Sequence, residues 1–249
     1  MYDSPHSSSL FEVVRKRIMQ RIQMGAWKQG DMIPNELELA DIFKVSQGTV
    51  RRALKELVKE GVLVRHQGKG TYVASYRRDM DSIRERINWF APDTPGAAPM
   101  HARIVSFEIL DQISPKIALL FQCAPDEPLY RIRRELSYGE SEIVSAFDDI
   151  YLKVKDFPHL TEDAFHRTEK VNPYVFYEEA YGYFVTTMED MAKAVLLNPQ
   201  QAKRAGVNTP YPAICLQRRS FTIDGHMIEL RFLTNVTDTQ SMVLRGGRH

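Results

Sequence analysis

The stretch of sequence that decides the fold reads Ser46-Gln47-Gly48-Thr49-Val50-Arg51-Arg52-Ala53-Leu54. Ser46 predicts a helix N-cap, because its hydroxyl can accept a hydrogen bond from a backbone N–H of the first turn. Apolar residues recur along one side of the helix that follows, and amide, hydroxyl and guanidinium groups occupy its other faces. A helix with such groups in its first turns can enter a DNA major groove, where Arg51 or Arg52 can bind guanine or a phosphate. The stretch therefore predicts a recognition helix.

The residues around that helix predict a winged helix-turn-helix over 9–75. The predicted elements are a helix from Ser9 to about Met24, a second helix from Glu36 to Phe43 capped by Asn35, and two β-rich runs at 62–65 and 71–74. The loop between the two runs carries Gln67-Gly68-Lys69 at its tip. This tip could enter the neighbouring minor groove, because glycine permits close approach of the backbone.

Charge is distributed unevenly along the chain. The formal net charge is +1, but residues 1–78 hold 14 Lys/Arg and 8 Asp/Glu, a net of +6, and residues 79–249 have a net of −5. A basic N-terminal third indicates that this part meets a polyanion, with chance surface variation as the alternative.

Length and composition exclude several classes of protein. The 249 residues suit about two domains, at roughly 100–200 residues each. No apolar run approaches the ~18 residues that cross a bilayer, and the polar N-terminus is unlike a signal peptide. Cys123 and Cys215 occur in no motif, so we expect reduced thiols and a cytoplasmic protein. The seven histidines show no metal-binding spacing, and we expect neither a metal nor a cofactor.

The remainder of the chain predicts an α+β domain. Residues 1–8 are expected to form a flexible tail, 76–99 a linker with a possible short helix at 77–86, and 100–246 the second domain. Strands are predicted at 102–110, 128–138, 143–152, 183–188, 213–223 and 226–232, and helices at 115–120, 173–181 and 199–205. Asp224-Gly225 predicts a hairpin. The aromatic residues from Tyr174 to Phe184 are typical of a core, with an aromatic-ligand pocket as the alternative.

The N-terminal part resembles the GntR family of bacterial regulators over about residues 10–74. The resemblance is carried by Gly25, Trp27-Lys28-Gln29-Gly30-Asp31, Ile33-Pro34-Asn35-Glu36, Leu39-Ala40, Val45-Ser46, Thr49 to Leu54, Leu57, Glu60-Gly61 and Gln67 to Val73. It implies a dimeric repressor, occasionally an activator, on a palindromic double-stranded operator. The residues predicted to bind DNA are Asn35, Ser46, Gln47, Thr49, Arg51, Arg52, Gln67, Gly68 and Lys69.

Two positions depart from that family's pattern. Leu37 and Gln47 stand where the family usually has arginines that touch DNA. Gln47 can instead bind adenine N6/N7, so we expect an operator that differs from the usual one. Fewer cationic contacts should also flatten the salt dependence of binding, by roughly one unit of log–log slope per lost phosphate contact.

The second domain resembles the UTRA domain of the HutC branch, whose fold is similar to chorismate lyase. The resemblance rests on Pro128 to Arg134, Tyr151-Leu152, Phe157 to Leu160, Asn172-Pro173-Tyr174, Tyr181-Gly182, Ile228-Glu229 and Asp238. In that family a pocket binds a small metabolite, which alters operator affinity. The resemblance implies effector-binding roles for Arg134, Asp148, Asn172, Tyr174, Glu229 and Asn235.

Leu136 occupies the position of a second ligand-binding arginine, which disfavours a doubly anchored phosphate. The residue set suits a small polar ligand with one anionic group, such as a carboxylate. The sequence thus predicts a cytoplasmic, homodimeric regulator that dimerises through its second domain. Two alternatives stay open: an enzyme with chorismate-lyase-like activity, and a DNA-binding protein that responds to no ligand.

Overall fold

A computed structural model of the chain describes residues 9–75, 90–94, 96–166, 173–222, 224–238 and 240–243. The chain divides into two compact units, with the boundary between residues 80 and 81. The predicted tail at 1–8, the helix predicted at 77–86 and the effector-binding candidate Asn172 lie outside the described residues.

The first unit is a winged helix-turn-helix. Its elements are helices α1 (Leu10–Gln23), α2 (Glu36–Phe43) and α3 (Gln47–Lys59), followed by strands β1 (Leu63–His66) and β2 (Gly70–Val73). The two strands pair antiparallel, with Leu63 opposite Val73, and form the wing. The core between the helices and the wing is apolar; its most buried members include Ile18, Leu39, Val50, Leu54, Leu57 and Leu63.

Capping residues set where these helices begin. The Ser9 backbone N–H donates to Glu12 at 3.1 Å, closing a capping box at α1. Asn35 Oδ1 accepts from two backbone N–H groups of α2, and Ser46 Oγ accepts from the Thr49 N–H of α3. Between α2 and α3 the chain turns at Lys44 in the left-handed region, at φ 56°. The three caps predicted from sequence are confirmed.

The second unit is built on an antiparallel six-stranded sheet in the order β4-β5-β6-β9-β8-β7. Its strands are β4 (Met100–Leu110), β5 (Leu129–Tyr138), β6 (Ala146–Lys153), β7 (Val185–Leu196), β8 (Pro212–Thr222) and β9 (Met227–Val236). Its helices are α4 (Pro115–Phe121), α5 (Glu162–His166), α6 (Pro173–Tyr181) and α7 (Pro199–Arg204). A separate two-stranded ribbon pairs β3 (Phe90–Pro92) with β10 (Gln240–Met242).

The register of the sheet decides which side chains share a face. Arg134 lies opposite Asp148, Asp148 opposite Leu233, and Leu233 opposite Leu216. Residues directly opposite in an antiparallel sheet point to the same side, as do residues two apart on one strand. We call the side defined by Arg134, Asp148, Arg218, Arg231 and Asn235 the cavity face. The other face packs against α4 and α7 through two apolar clusters.

Three strands differ from the sequence predictions, and one of them, β10, was not predicted as a strand at all. The short strand predicted at 183–188 is the 12-residue edge strand β7, whose many exposed polar residues masked its β character. Residues 90–92, predicted to belong to a linker, form β3. That strand exists because it pairs with β10, about 150 positions away, and a local sequence pattern carries no trace of such a partner. The linker predicted at 76–99 therefore overlaps the second unit.

Candidate DNA-reading surface and effector cavity

One carboxylate organises the groups at the start of the recognition helix. Glu36, in the first turn of α2, accepts hydrogen bonds from Arg51 Nε at 2.9 Å, Arg65 Nη2 at 2.8 Å and Gln47 Nε2 at 3.3 Å. Burial raises the pKa of Glu36, but the hydrogen bonds from Arg65 and Arg51 outweigh it, and the pKa lies below its ordinary value. Glu36 is therefore ionised at neutral pH. Its carboxylate links α2 to α3 through Gln47 and Arg51, and to β1 through Arg65.

Arg51 remains available to a ligand despite that ion pair. Its side chain is 62% exposed, whereas the Glu36 side chain is 18% exposed. An ion pair with so exposed a partner stabilises little, so Arg51 can exchange Glu36 for a base edge or phosphate at small cost. Gln47 and Arg65 border the groove between the N-terminus of α2 and the wing, and Arg51 is joined to it through its hydrogen bond to Glu36, which also lines the groove.

Arg52 has a different environment from Arg51. Its guanidinium carbon lies 3.9 Å from the centre of the Phe11 ring, in a cation–π contact with α1. Adjacent residues on a helix are about 100° apart, so the two arginines leave α3 in different directions. Of the predicted pair, Arg51 is the one that binds Glu36, a lining residue of the groove.

The other predicted DNA-binding residues of the first unit lie at helix caps and at the wing tip. Asn35 and Ser46 use their side-chain oxygens as caps, and Thr49 Oγ1 lies 2.9 Å from Ser46 Oγ. The α3 N-terminus is nevertheless a favourable position for a phosphate, because its dipole and free backbone N–H groups attract anions. The wing tip, Gln67-Gly68-Lys69, is exposed, and Gly68 has φ 72°, a conformation that side chains with a Cβ rarely adopt.

A buried charge cluster lies on the cavity face of the second unit. Asp148 is fully buried and accepts hydrogen bonds from Arg134 Nη2 at 2.6 Å and from Arg231 Nε at 2.6 Å. Burial raises the pKa of Asp148, but Arg231 and Arg134 outweigh it and hold the pKa below its ordinary value. The carboxylate thus stays charged, and two strands, β5 and β9, are tied to β6 through it.

A second buried pair continues this cluster towards the sheet edge. Arg218 donates from Nε and Nη2 to the two carboxylate oxygens of Asp190, both at 2.8 Å, in a bidentate pair. Arg218 on β8 lies opposite Arg231 on β9, so the two guanidinium groups share the cavity face.

A cavity of about 380 Å³ opens on this face. Its lining residues are Phe90, Pro92, Ala97, Ala98, Pro99, Met100, Leu136, Tyr138, Leu216, Arg218, Arg231, Leu233 and Asn235. Strand β3 and the segment before β4 form its wall, and the sheet forms its floor. The ribbon is fastened there by Gln240, which accepts from the Tyr138 hydroxyl at 3.1 Å and donates to the Ser145 carbonyl at 2.7 Å.

Glu229 is engaged by neighbouring hydroxyls. Its carboxylate accepts from Tyr174 at 2.8 Å, Tyr177 at 2.8 Å and Ser220 at 2.9 Å. Burial, and then the charge of Glu229, raises the pKa of Tyr177 well above 10, so this phenol stays protonated and donates. The aromatic cluster around Tyr174 and Tyr177 is core, packed by edge-to-face contacts with Phe157 and its neighbours.

The structure thus brings five of the six predicted effector-binding residues to one face and places them differently towards the cavity. Asn235 lines the cavity; Arg134 and Asp148 lie in the charge cluster beside it; Tyr174 and Glu229 bind each other. Sequence reasoning missed Arg218 and Arg231. The available signal was the charge at two alternate strand positions, Glu229 and Arg231, in a strand otherwise suited to burial. Among the described residues, no cluster of His, Cys, Asp and Glu could hold a metal ion, and no helix is long and apolar enough to cross a membrane.

Comparison with known protein families identifies both units. The profile of the bacterial regulatory proteins of the gntR family matches residues 10–73, and the UTRA domain profile matches residues 98–239. The second match alone covers more than half of the 249 residues. The chain belongs to the GntR family of transcription regulators, with an N-terminal helix-turn-helix and a C-terminal UTRA effector-binding domain. This family assignment excludes the enzyme alternative.

Similar full-length proteins agree with that assignment. The mannosyl-D-glycerate transport/metabolism system repressor MngR of Escherichia coli is 25% identical over 88% of both chains. The histidine utilization repressor of Pseudomonas aeruginosa is 26% identical over 88% of this chain and 87% of its own. The ligand-binding domain of a GntR-family regulator from Bordetella bronchiseptica superposes with a TM-score of 0.59 at 24% identity, covering 65% of this chain and 98% of that domain. This structural likeness shows the fold.

Proposed function

We propose that the protein is a cytoplasmic, homodimeric repressor that binds a palindromic operator and releases it when a small metabolite occupies the cavity of its second unit. The observation that carries the proposal is the pairing of an exposed reading group, Arg51, with a separate cavity lined by buried guanidiniums. Both full-length relatives named above are repressors. A dimer supplies the two reading heads that two half-sites about one helical turn apart require.

The test is binding to the DNA that flanks the gene, measured by fluorescence polarisation at fixed salt with and without a metabolite panel. Arg51→Ala is expected to weaken specific binding by about 1–3 kcal/mol, because a bidentate contact to a base is lost. Arg52→Ala is expected to cost less, since that guanidinium packs on Phe11. Lys193→Ala changes an exposed residue of β7 in the second unit and serves as the control.

Three results together would support the proposal: specific binding, its loss in Arg51→Ala, and a shift caused by one metabolite. Sedimentation of the protein–DNA complex reports the stoichiometry, for which we expect two chains per operator. Equal binding of wild type and Arg51→Ala would show that the groove beside Glu36 does not read bases. An operator affinity that no metabolite changes would favour the alternative that the protein binds DNA without responding to a ligand.

A further inference from the structure

We propose that the effector is an amphipathic monocarboxylate, whose single charge binds Arg231 and whose apolar body lies on the leucines of the cavity floor. This inference rests on the proposed function, because it names the ligand class of the same regulatory cavity. It goes beyond an anionic ligand in two ways: it requires a hydrophobic body, and it allows one negative charge.

The apolar character of the cavity is the first argument. Leu136, Leu216 and Leu233 form its floor, and Phe90 and Met100 belong to its wall. A sugar would bury several hydroxyl groups against these side chains without partners, at a cost of about 1–3 kcal/mol for each unsatisfied group. A hydrocarbon or aryl body instead gains from the burial. A volume of about 380 Å³ is near the lower end for ligand cavities, which favours a small metabolite over a long lipid.

The position of Arg231 is the second argument. Its Nε and Nη2 bind Asp148 at 2.6 and 3.1 Å, and its Nη1 has no partner among the residues that the structure describes. The side chain keeps 11% of its surface accessible and lines the cavity. A guanidinium can bind two carboxylates through different edges of its fork. Arg231 can therefore accept a ligand carboxylate while still holding Asp148.

The charge balance of the cavity face limits the ligand to one negative charge. Three guanidiniums (Arg134, Arg218, Arg231) stand against three carboxylates (Asp148, Asp190, Glu229) on this face. A monocarboxylate adds one negative charge to this balanced set, whereas a dianion such as a phosphate ester adds two near Asp148, and each buried unpaired charge is costly. A cation would find Asp148 already occupied by four donated hydrogen bonds and Glu229 by three.

The experiment compares matched probes on the full-length protein by isothermal titration calorimetry. Phenylacetate, phenylacetamide and phenyl phosphate share one body and differ in charge; acetate, butanoate and hexanoate share one charge and differ in body. We expect phenylacetate to bind at least tenfold more tightly than its amide and than phenyl phosphate. We also expect affinity to rise from acetate to hexanoate, by a few-fold for each added CH₂.

Variants locate the binding. Arg231→Lys keeps a positive charge beside Asp148 but removes the fork, and we expect it to weaken phenylacetate at least tenfold. Leu136→Phe fills the floor of the cavity and should abolish binding of hexanoate without touching the charge cluster. Arg219→Gln is the matched control: this neighbour of Arg218 points to the opposite face, where it pairs with Glu189. Circular dichroism of all three variants shows whether each is folded, and operator binding without ligand should be unchanged in Arg219→Gln.

The outcomes separate this inference from the proposed function. Equal binding of the acid and its amide, tighter binding of the phosphate, or no binding of any carboxylate would overturn the inference. If a sugar or another uncharged metabolite instead shifts operator affinity, the proposed function stands and the monocarboxylate assignment fails. If no compound of either kind changes operator affinity, the proposed function fails as well.

Discussion

At the residue scale, Leu37 is the unusual member of the candidate DNA-reading surface. It lies in the first turn of α2, is 65% exposed, and borders the same groove as Gln47. An exposed leucine beside a reading helix can contact the C5-methyl group of thymine, and a glutamine can bind adenine N6/N7. These two side chains therefore suit A·T pairs where two arginines would favour guanine.

We predict that operators selected from a random DNA library contain A·T pairs that depend on these two residues. Replacing a contacted thymine by uracil removes only the methyl group, so it should weaken wild type and leave Leu37→Ala unaffected. Gln47→Ala should relax the preference for adenine by about 1–3 kcal/mol. Competition binding with the selected sites measures both effects. Selection of G·C pairs at the same positions would contradict the assignment.

The buried carboxylate of Asp148 allows a prediction about the stability of the second unit. We predict that Asp148→Asn lowers the free energy of unfolding of the second unit by about 3–5 kcal/mol, because Arg134 and Arg231 lose their shared anion inside the protein. The folded pKa of Asp148 is lowered, so its stabilisation is present above the unfolded pKa of about 3.9 and is lost as pH falls through the folded pKa. Urea unfolding should give a constant wild-type-to-variant difference from pH 7 to 5 that shrinks below about pH 4.

Asp149→Asn is the natural control, since Asp149 follows on the same strand and points to the other face. Burial raises its pKa, against the effect of Arg131, so the linkage has the opposite sign. Its contribution to stability should grow, relative to the Asn variant, as pH falls. The same pH trend in both variants would mean that the slope comes from the general acid unfolding of the unit rather than from Asp148.

At the element scale, hydrogen bonds to Glu229 fasten α6 to the sheet. We predict that Tyr177→Phe, which leaves one carboxylate oxygen of Glu229 without its hydroxyl donor, costs about 1–3 kcal/mol. The effect should be local: amide hydrogen exchange in 173–181 should speed up more than exchange in β9. Tyr181→Phe, on the same helix but half-buried and with only a 3.5 Å hydrogen bond to the Pro158 carbonyl, should change exchange little. Equal acceleration in both variants would indicate that aromatic packing holds the helix.

The elements also show what local sequence can predict. The helix from Glu36 to Phe43 was predicted with its observed bounds, because its cap Asn35 and its apolar spacing are local features. The hairpin at Asp224-Gly225 was found for the same reason. Strand β3 was missed, since it depends on a distant partner, and the roles of Arg218 and Arg231 depend on a sheet register that joins three strands. Helix caps and the hairpin turn could be predicted from neighbouring residues. The pairing of strands far apart in the sequence could not.

At the scale of the whole molecule, β3 is the strand of the cavity wall that comes first in the sequence of the second unit, and β10 pairs with it. We predict that Gln240→Ala, which removes the bonds to Tyr138 and Ser145, leaves ligand-free operator affinity unchanged but reduces the shift that the effector causes. Because coupling is reciprocal, operator DNA should also weaken effector binding by a smaller factor in this variant.

Titrations of effector against the protein with and without operator measure that factor directly. Arg219→Gln, whose side chain pairs with Glu189 on the face away from the cavity, is the control. An effector shift of wild-type size in Gln240→Ala would show that coupling runs through another part of the wall.

The pairing of β3 with β10 has a practical consequence for anyone who works with the second unit alone. Strand β3 lines the cavity, and β10 pairs with it from the opposite end of that unit's sequence, at 90–92 and 240–242. A fragment cut at the limits of the family match, 98–239, would lack both strands and expose the Leu136 side of the cavity to water. Crystals or ligand screens of such a fragment would then report an open trough, whereas a fragment that spans 90–243 keeps the wall.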